Sequence, residues 1–253
     1  MKNFMRQPLR KPQANGDTLS MPSMNRTLVI MAKAPRVGSV KTRLAVNLST
    51  QQAAELYGCF LNDTIALAQS LHQIEIAIMC PASDVEELSR AVAEEVRIVP
   101  QTGQGLAAGL DSVFANFTSP AHQLVIAFNS DSPHLPASVL QGAFNSLETY
   151  DLVVGPTHDG GYYLVGAKAS RPGLFASDGM GTASAFERLL KRARTMKLSV
   201  RLTDPFYDVD IAEDLGKLAD ELRLAPARAP QTAAWLKGWR RGAARLRATA
   251  GDQ

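Results

Sequence analysis

Short apolar runs alternate with segments of helical periodicity along most of the chain, and this alternation limits the possible folds more than any other feature of the sequence. Strands are predicted at residues 27–32, 74–79, 96–99, 124–129, 152–155, 162–167 and 199–202. Helices are predicted at residues 49–65, 83–95, 106–117, 137–147 and 211–222, with a further one beginning near 184. Strands that alternate with helices form mostly parallel sheets covered by helices on both faces. The sequence therefore predicts an α/β fold.

Local signals mark several element boundaries. A serine stands three residues before a Gln or Glu at Ser49, Ser83 and Ser184, which is the spacing of a capping box at a helix start. The dipeptide Gly160-Gly161 separates two of the predicted strands, which favours a β-hairpin. We expect this hairpin at an edge of the sheet.

Length and composition favour one folded domain with terminal extensions. The chain has 253 residues, of which 45% are hydrophobic, enough for a substantial core. Residues 1–25 mix Pro, Gly, Asn and basic residues without apolar periodicity and are predicted to be a flexible tail. We predict the folded domain at residues 26–224 and a basic C-terminal helix or tail at residues 225–253.

Composition also narrows the class of partner. The net charge is only +3 and the basic residues are spread along the chain, which suits a small anionic substrate better than a nucleic acid. No stretch reaches the ~20 apolar residues of a membrane-spanning helix, and the first 25 residues lack the apolar run of a signal peptide. We therefore expect a cytoplasmic protein without a membrane span.

The loop at residues 33–43 follows the first predicted strand and is rich in basic residues. In open α/β sheets, ligands bind at the carboxyl ends of the strands, so this loop is a candidate anion site. Gly38 would allow close approach of the backbone, and Lys41 and Arg43 would point the same way from an extended segment and hold a diphosphate. The spacing is neither that of a P-loop nor G-x-G-x-x-G. A solvated basic loop is the alternative.

Carboxylates follow the later strands. Asp131 comes directly after an apolar strand, where it could hold Mg²⁺ or Mn²⁺ together with substrate phosphates or could instead cap a helix. Asp208 and Asp210 precede the last core helix, and Asp210 could equally be a helix-start residue. His158 beside Asp159 is a weaker candidate for a general base. Hydrolase and zinc-enzyme motifs are not found in the sequence.

Four segments together resemble one known family: MAKAPRVGSVKTRLA, FNSDSPHLP, GPTHDGGYYLVGAK and YDVDIAEDL. They are similar to the small bacterial GT-A-type, glycosyltransferase-like proteins classed as DUF2064, and the resemblance covers about residues 27–222. That family is related to nucleotide-diphospho-sugar transferases and to molybdenum-cofactor and phospholactate guanylyltransferases. The resemblance implies a Rossmann-like GT-A fold that carries a nucleoside-diphosphate pocket, and hence that residues 26–224 are a catalytic domain.

The resemblance also implies roles for individual residues. The phosphates of the nucleotide are assigned to the first loop, namely to Pro35, Gly38, Lys41 and Arg43. Mg²⁺ or Mn²⁺ is assigned to two carboxylates, Asp131 and Asp210. The acceptor side is assigned to the D-G-G-Y segment, namely to Asp159, Gly160, Gly161 and Tyr162. Asp159 is expected to orient or deprotonate an acceptor hydroxyl.

The function implied is metal-dependent glycosyl transfer from a nucleoside-diphosphate sugar to a small acceptor. One alternative is a nucleotidyltransferase of guanylyltransferase type that acts on a small phosphorylated acceptor. A second alternative is a nucleotide-binding protein without catalysis. In all three the expected partners are small molecules.

Overall fold

The computed structural model describes residues 25–118, 123–176 and 181–250, with side chains as far as residue 240. Seven strands form one sheet: β1 (Asn25–Met31), β2 (Ile74–Cys80), β3 (Arg97–Pro100), β4 (Gln123–Asn129), β5 (Leu152–Pro156), β6 (Tyr162–Ala167) and β7 (Val200–Leu202). Their order is β3-β2-β1-β4-β6-β5-β7, and only β6 runs antiparallel to its neighbours. The carboxyl ends of the other six strands therefore share one edge.

The helices lie close to their predicted positions. They are α1 (Thr50–Gln69), α2 (Val85–Ala91), α3 (Gly105–Phe117), α4 (Ala137–Thr149), α5 (Ala185–Thr195), α6 (Ala212–Leu224) and α7 (Pro230–Ala250). The capping box predicted at Ser49 is present, since Ser49 Oγ accepts from Gln52 N at 3.1 Å and Gln52 Oε1 accepts from Ser49 N at 2.9 Å. The side chain thus satisfies N–H groups that the first turn of α1 leaves free.

Helices cover both faces of the sheet, as predicted. Leu28 and Ile30 of β1 point to one face, where they join a buried apolar cluster with residues of α1, α2 and α4. Val29 points to the opposite face and joins a second cluster with residues of α3 and α5. Alternate side chains of a strand point to opposite faces, and a strand buried on both is apolar throughout. The predicted α/β class with a mostly parallel sheet is confirmed.

A third apolar layer lies outside α1. Leu56 and Phe60 of α1 pack there with Leu218 of α6 and Leu236 of α7. Asp63 of α1 is 2% exposed, and its carboxylate accepts the backbone N–H groups of Gln231 and Thr232 at 3.1 and 2.8 Å. A buried carboxylate on one helix therefore caps the first turn of another.

The capping boxes predicted at Ser83 and Ser184 are absent. Residues Ala82–Asp84 form a 3-10 turn, and Ser83 Oγ donates to the Asp84 carboxylate, so that α2 begins only at the following residue. Ser184 does stand at the N-cap position of α5, but its side chain makes no capping hydrogen bond. Its Oγ accepts instead from Arg188 Nε at 3.1 Å. Both serine hydroxyls therefore form hydrogen bonds with neighbouring side chains instead of capping a helix.

The position of the β5–β6 hairpin was also predicted wrongly. The hairpin exists, but it lies inside the sheet rather than at its edge. It does so because β6 pairs with β4 while β7 pairs with β5 and takes the edge position. The strand that covers the hairpin comes from a later part of the chain, so the turn signal alone could not reveal it.

The terminal segments are described only in part. Residues 1–24 of the predicted tail lie outside the described residues, and Asn25 begins β1. The C-terminal segment contains α7, whose first turns pack on α1 and α6. The division into tail, domain and C-terminal segment stays a prediction. Among the described residues, no helix has the length and apolar character needed to cross a membrane.

His134 lies beneath the carboxyl edge of the sheet and is fully buried. Its ring packs against the rings of Phe206 and Tyr207. Neither ring nitrogen has a hydrogen-bond partner among the described residues, and a carboxylate oxygen, Glu221 Oε2, lies 3.7 Å from Nε2. Burial lowers the pKa of His134 to about 3, and the positive charges of Arg228 and Lys217 act in the same direction. The folded protein therefore holds a neutral imidazole here.

Replacing Asp63 by Ala should lower the free energy of unfolding by about 1–3 kcal/mol, because two buried backbone N–H groups lose their acceptor. Urea denaturation measures this loss. Asp220→Ala is the matched control, because the exposed Asp220 pairs with Arg240 at the surface. Equal stability of the two variants would contradict the capping role of Asp63.

His134 should make stability depend on pH. The unfolded chain protonates His134 below its ordinary pKa of 6.5, whereas the folded protein resists protonation down to about pH 3. Unfolding therefore takes up a proton in this window, and stability falls as the pH falls below about 6.5. Relative to His134→Leu, the wild-type free energy of unfolding should drop by up to about 1.4 kcal/mol per pH unit. Parallel curves from urea denaturation at several pH values would contradict this expectation.

Candidate active site

A cleft of about 600 Å³ opens at the carboxyl edge of the sheet. It lies over β1, with β2 and β3 on one side and β4 on the other. Its walls include residues from the ends of these strands, from the start of α3 and from the loop before α6; among them are Met31, Met79, Asn129, Leu106 and Asp208. The protein therefore has a cavity at the edge of the sheet where α/β proteins usually bind ligands.

Lys41 is the central cation of the cleft. Its backbone is left-handed, with φ of 49°, and its side chain is only 4% exposed. The ammonium group lies 2.8 Å from Asp131 Oδ1 and 3.0 Å from Asp210 Oδ1, and it donates to the carbonyl oxygen of Val209 at 2.7 Å. Burial lowers the pKa of Lys41, but the negative charges of Asp131 and Asp210 more than offset burial, so its pKa lies above the ordinary value.

Lys41 and Arg43 do not project from an extended segment as predicted. Lys41 is left-handed, and residues Thr42–Val46 form a 3-10 helix that carries Arg43 at the rim. The Arg43 side chain is 70% exposed and its Nη1 lies 3.6 Å from Asp210 Oδ2. Both residues nevertheless line the cleft, together with Lys33. Their contact with phosphates stays a prediction.

Residues 34–38 of the basic loop do not line the cleft. Arg36 forms ion pairs of 2.6 Å with Asp84 and with Glu87, which anchor the loop on the start of α2. Pro35 and Gly38 do not belong to the lining of the cleft. Gly38 has φ of +78°, and a Cβ added there would meet no atom within 4 Å. Glycine is therefore favoured here by the backbone conformation of the turn and not by close contact with another part of the protein.

Asp131 and Asp210 do not cap helices, whereas their binding of a metal stays a prediction. The helix after Asp131, α4, has Pro136 at its N-cap position. At the start of α6, Asp214 accepts the backbone N–H groups of Asp210 and Ile211 at 3.1 and 3.0 Å. The structure thus brings both predicted carboxylates together around the Lys41 ammonium.

Asp208 is a site residue to which the sequence analysis gave no role. It lines the cleft, and burial followed by the charges of Asp210, Asp159 and Asp131 raises its pKa to about 6. The charges of three neighbouring carboxylates therefore act on Asp208 at this edge. The D-V-D pattern was the available signal, because alternate residues of an extended segment point the same way.

The D-G-G-Y segment forms a tight turn beside these carboxylates. Asp159 Oδ1 accepts from the hydroxyl of Thr157 and from the backbone N–H of Gly161, while Asp159 and its neighbour His158 are exposed. Gly160 has φ of +88°, and a Cβ there would lie 2.0 Å from the carbonyl oxygen of Ala183. Tyr162 lines the cleft, and burial raises its pKa above the ordinary range.

Tyr57 and Ser130 connect the first loop to the carboxylates. The backbone N–H of Lys33 donates to Tyr57 Oη at 3.0 Å, and Tyr57 Oη lies 2.9 Å from Ser130 Oγ. Ser130 Oγ in turn donates to the carbonyl oxygen of Met31 at 3.1 Å. The sequence placed Tyr57 only in the apolar stripe of α1, because periodicity cannot distinguish a phenol that packs from one that also binds.

The donor set fits a hard divalent cation. Asp131, Asp208 and Asp210 offer only oxygen ligands, which Mg²⁺ and Mn²⁺ prefer. Within the described part of the chain, no three His, Cys, Asp or Glu residues form a ready-made metal cage. Mg²⁺ is usually bound by one or two protein carboxylates together with substrate phosphates, so a pair such as Asp131 and Asp210 is sufficient.

Comparisons with known proteins agree with this architecture. A protein from Desulfovibrio desulfuricans G20, described as a proposed nucleotide-diphospho-sugar transferase, superposes with a TM-score of 0.78 at 26% identity over 85% of this chain and 94% of that one. The 2-phospho-L-lactate guanylyltransferase of Methanothermobacter thermautotrophicus is 27% identical over 186 residues, which are 72% of this chain and 80% of that protein. The 4-diphosphocytidyl-2C-methyl-D-erythritol synthase of Anaerococcus prevotii shares the fold, with a TM-score of 0.51 at 12% identity over 79% of this chain and 97% of that one.

A family profile assigns the central part of the chain. The profile described as "Uncharacterized protein conserved in bacteria (DUF2064)" matches residues 64–182, which contain Asp131 and the D-G-G-Y turn. The α/β fold of GT-A type and the resemblance drawn from the four motifs are both confirmed. Residues 64–182 are therefore similar to the bacterial DUF2064 family.

Proposed function

We propose that this protein is a metal-dependent transferase whose donor is a nucleoside-diphosphate sugar. The observation that carries the proposal is that Asp131 and Asp210 lie close together at the carboxyl edge of the sheet. They line a cleft of about 600 Å³ that is also lined by Lys33 and Arg43. Cations and carboxylates together suit a donor whose diphosphate is held through a divalent ion. The likeness to the Desulfovibrio protein supports a sugar nucleotide as that donor.

The charges of the cleft suit the departure of a diphosphate. Asp131 and Asp210, with Asp208 beside them, would hold Mg²⁺ or Mn²⁺, which when bound neutralises charge on the leaving diphosphate. Arg43 and Lys33 stand at the rim with exposed side chains and would contact phosphate oxygens directly. Groups aimed at charge that grows during the reaction stabilise the transition state more than the ground state.

Asp159 would serve the acceptor. A hydroxyl oxygen of the acceptor forms a bond to the anomeric carbon of the sugar as the bond from that carbon to the diphosphate breaks. The diphosphate leaves with the electron pair, and the hydroxyl proton passes to the Asp159 carboxylate. The hydrogen bonds from Thr157 and Gly161 to Asp159 Oδ1 fix this carboxylate beside the other acids.

Guanylyl transfer is the second candidate, favoured by the 27% identity with the phospholactate guanylyltransferase over 72% of this chain. In that reaction a phosphorylated acceptor would attack the α-phosphorus of a nucleoside triphosphate and release pyrophosphate. The same carboxylates and cations would serve it. The two candidates differ in the donor that binds and in the product that leaves.

A thermal-shift screen combined with product analysis separates the candidates. We expect one nucleoside-diphosphate sugar to raise the melting temperature only when Mn²⁺ is present, because ligands that bind the folded state stabilise it. Asp131→Asn should abolish this shift, while Asp220→Asn, which removes the same charge from a remote surface position, should retain it. Stabilisation by GTP alone, with pyrophosphate as the product, would transfer the assignment to guanylyl transfer. No shift with any nucleotide would indicate a protein without either activity.

Replacing Gly160 by Ala should lower turnover and stability more than replacing Gly38 by Ala. Both glycines have positive φ, so both variants carry backbone strain of about 1–2 kcal/mol. Only at Gly160 does the added Cβ meet the carbonyl oxygen of Ala183, which would shift the turn that holds Asp159. Steady-state kinetics and urea denaturation of the two variants measure the difference. Equal effects would mean that the turn tolerates displacement.

A further inference from the structure

The ammonium of Lys41 has a complete set of oxygen partners. An ammonium can donate three hydrogen bonds, and Lys41 is within 3.0 Å of three oxygens: Asp131 Oδ1, Asp210 Oδ1 and the carbonyl of Val209. Its side chain is only 4% exposed. In this position Lys41 has no donor left for a phosphate, in contrast to the exposed Arg43 at the rim of the same cleft.

The same two carboxylate oxygens are those that a divalent ion would take. A divalent ion held by these two carboxylates would compete for the same oxygens with an ammonium nitrogen that lies 2.8 and 3.0 Å from them. The ion would also repel the adjacent ammonium electrostatically.

We propose that Lys41 is a built-in competitor of the divalent ion for Asp131 and Asp210, and that metal binding displaces its ammonium toward the phosphates of the donor. This inference rests on the proposed metal site. It gives Lys41 two positions with different partners, one on the carboxylates and one on the nucleotide. The cost of displacing Lys41 would keep metal affinity low until a diphosphate offers the ammonium new acceptors.

The long side chain of Lys41 allows such a movement. Lys41 starts the 3-10 helix Thr42–Val46, and its side chain passes over the ring of Phe60, with Nζ 5.8 Å from the ring centroid. The long aliphatic stem allows the ammonium to move while the backbone stays in place. Aspartates are too short to follow it, so the carboxylates remain at the end of β4 and before α6.

The test is the affinity for Mn²⁺ alone, measured by calorimetry and by the paramagnetic resonance signal of free Mn²⁺. Lys41→Met should bind Mn²⁺ roughly tenfold or more tightly than the wild type, because the competing cation is gone. Lys33→Met is the matched control: it removes the same charge from the same cleft, but from an exposed side chain that is screened by solvent. It should change the affinity far less.

Other outcomes contradict different parts of the inference. Mn²⁺ binding that is equal or weaker in Lys41→Met than in the wild type would overturn the competitor role while leaving the metal site intact. Absence of Mn²⁺ binding from both proteins, at concentrations up to the millimolar range, would contradict the metal site and with it the proposed function.

A measurement on the wild type covers the case in which Lys41→Met fails to fold. Modification of lysines by an amine-acylating reagent, followed by mass spectrometry, reports how accessible each ammonium is. Mn²⁺ should increase the rate at Lys41 severalfold relative to the exposed Lys237, which serves as the internal reference. An unchanged rate at saturating Mn²⁺ would show that metal and ammonium bind side by side and would overturn the inference.

Discussion

The buried ion pairs of Lys41 hold the functional edge of this protein together. One ammonium joins the loop after β1 to Asp131 at the end of β4 and to Asp210 and Val209 in the segment before α6. Those three segments are far apart in sequence, and a backbone hydrogen bond from Val209 to Asp131 links two of them again. Buried charges need partners, and the Lys41 ammonium finds its partners in two segments other than its own.

Charge around this centre is arranged unevenly. Asp131, Asp208 and Asp210 line the cleft, and burial followed by the charges of Asp210, Asp159 and Asp131 raises the pKa of Asp208. Lys33 and Arg43 also line the cleft, and both are exposed. The carboxylates would attract a cation, and the exposed Lys33 and Arg43 would attract an anion. A complex of a metal with a diphosphate carries both charges. The parallel sheet is what makes this arrangement possible, because it brings strand ends from the whole chain to one edge.

The fold could be predicted from sequence because it depends on short-range patterns, whereas the metal role of Asp210 came from the family resemblance and stays a prediction. Apolar strands between amphipathic helices indicated the sheet, and position after a strand identified Asp131. The box at Ser83 failed because its neighbour Asp84 binds the backbone N–H of Ala34 and the side chain of Arg36, contacts that no local pattern reveals. Similarly, the left-handed conformation of Lys41 and the interior position of β6 depend on partners distant in the chain.

The cap that Asp63 places on α7 affects how much chain is needed for an independent folding unit. The family match ends at residue 182, but Leu218 and Leu236 are as deeply buried as the residues of α1 on which they pack. A fragment that kept α1 but ended at residue 182 would expose this layer of α1 to water and leave the buried Asp63 carboxylate without its two N–H donors. The segment that the family profile matches is therefore shorter than the segment that packs into one folded unit.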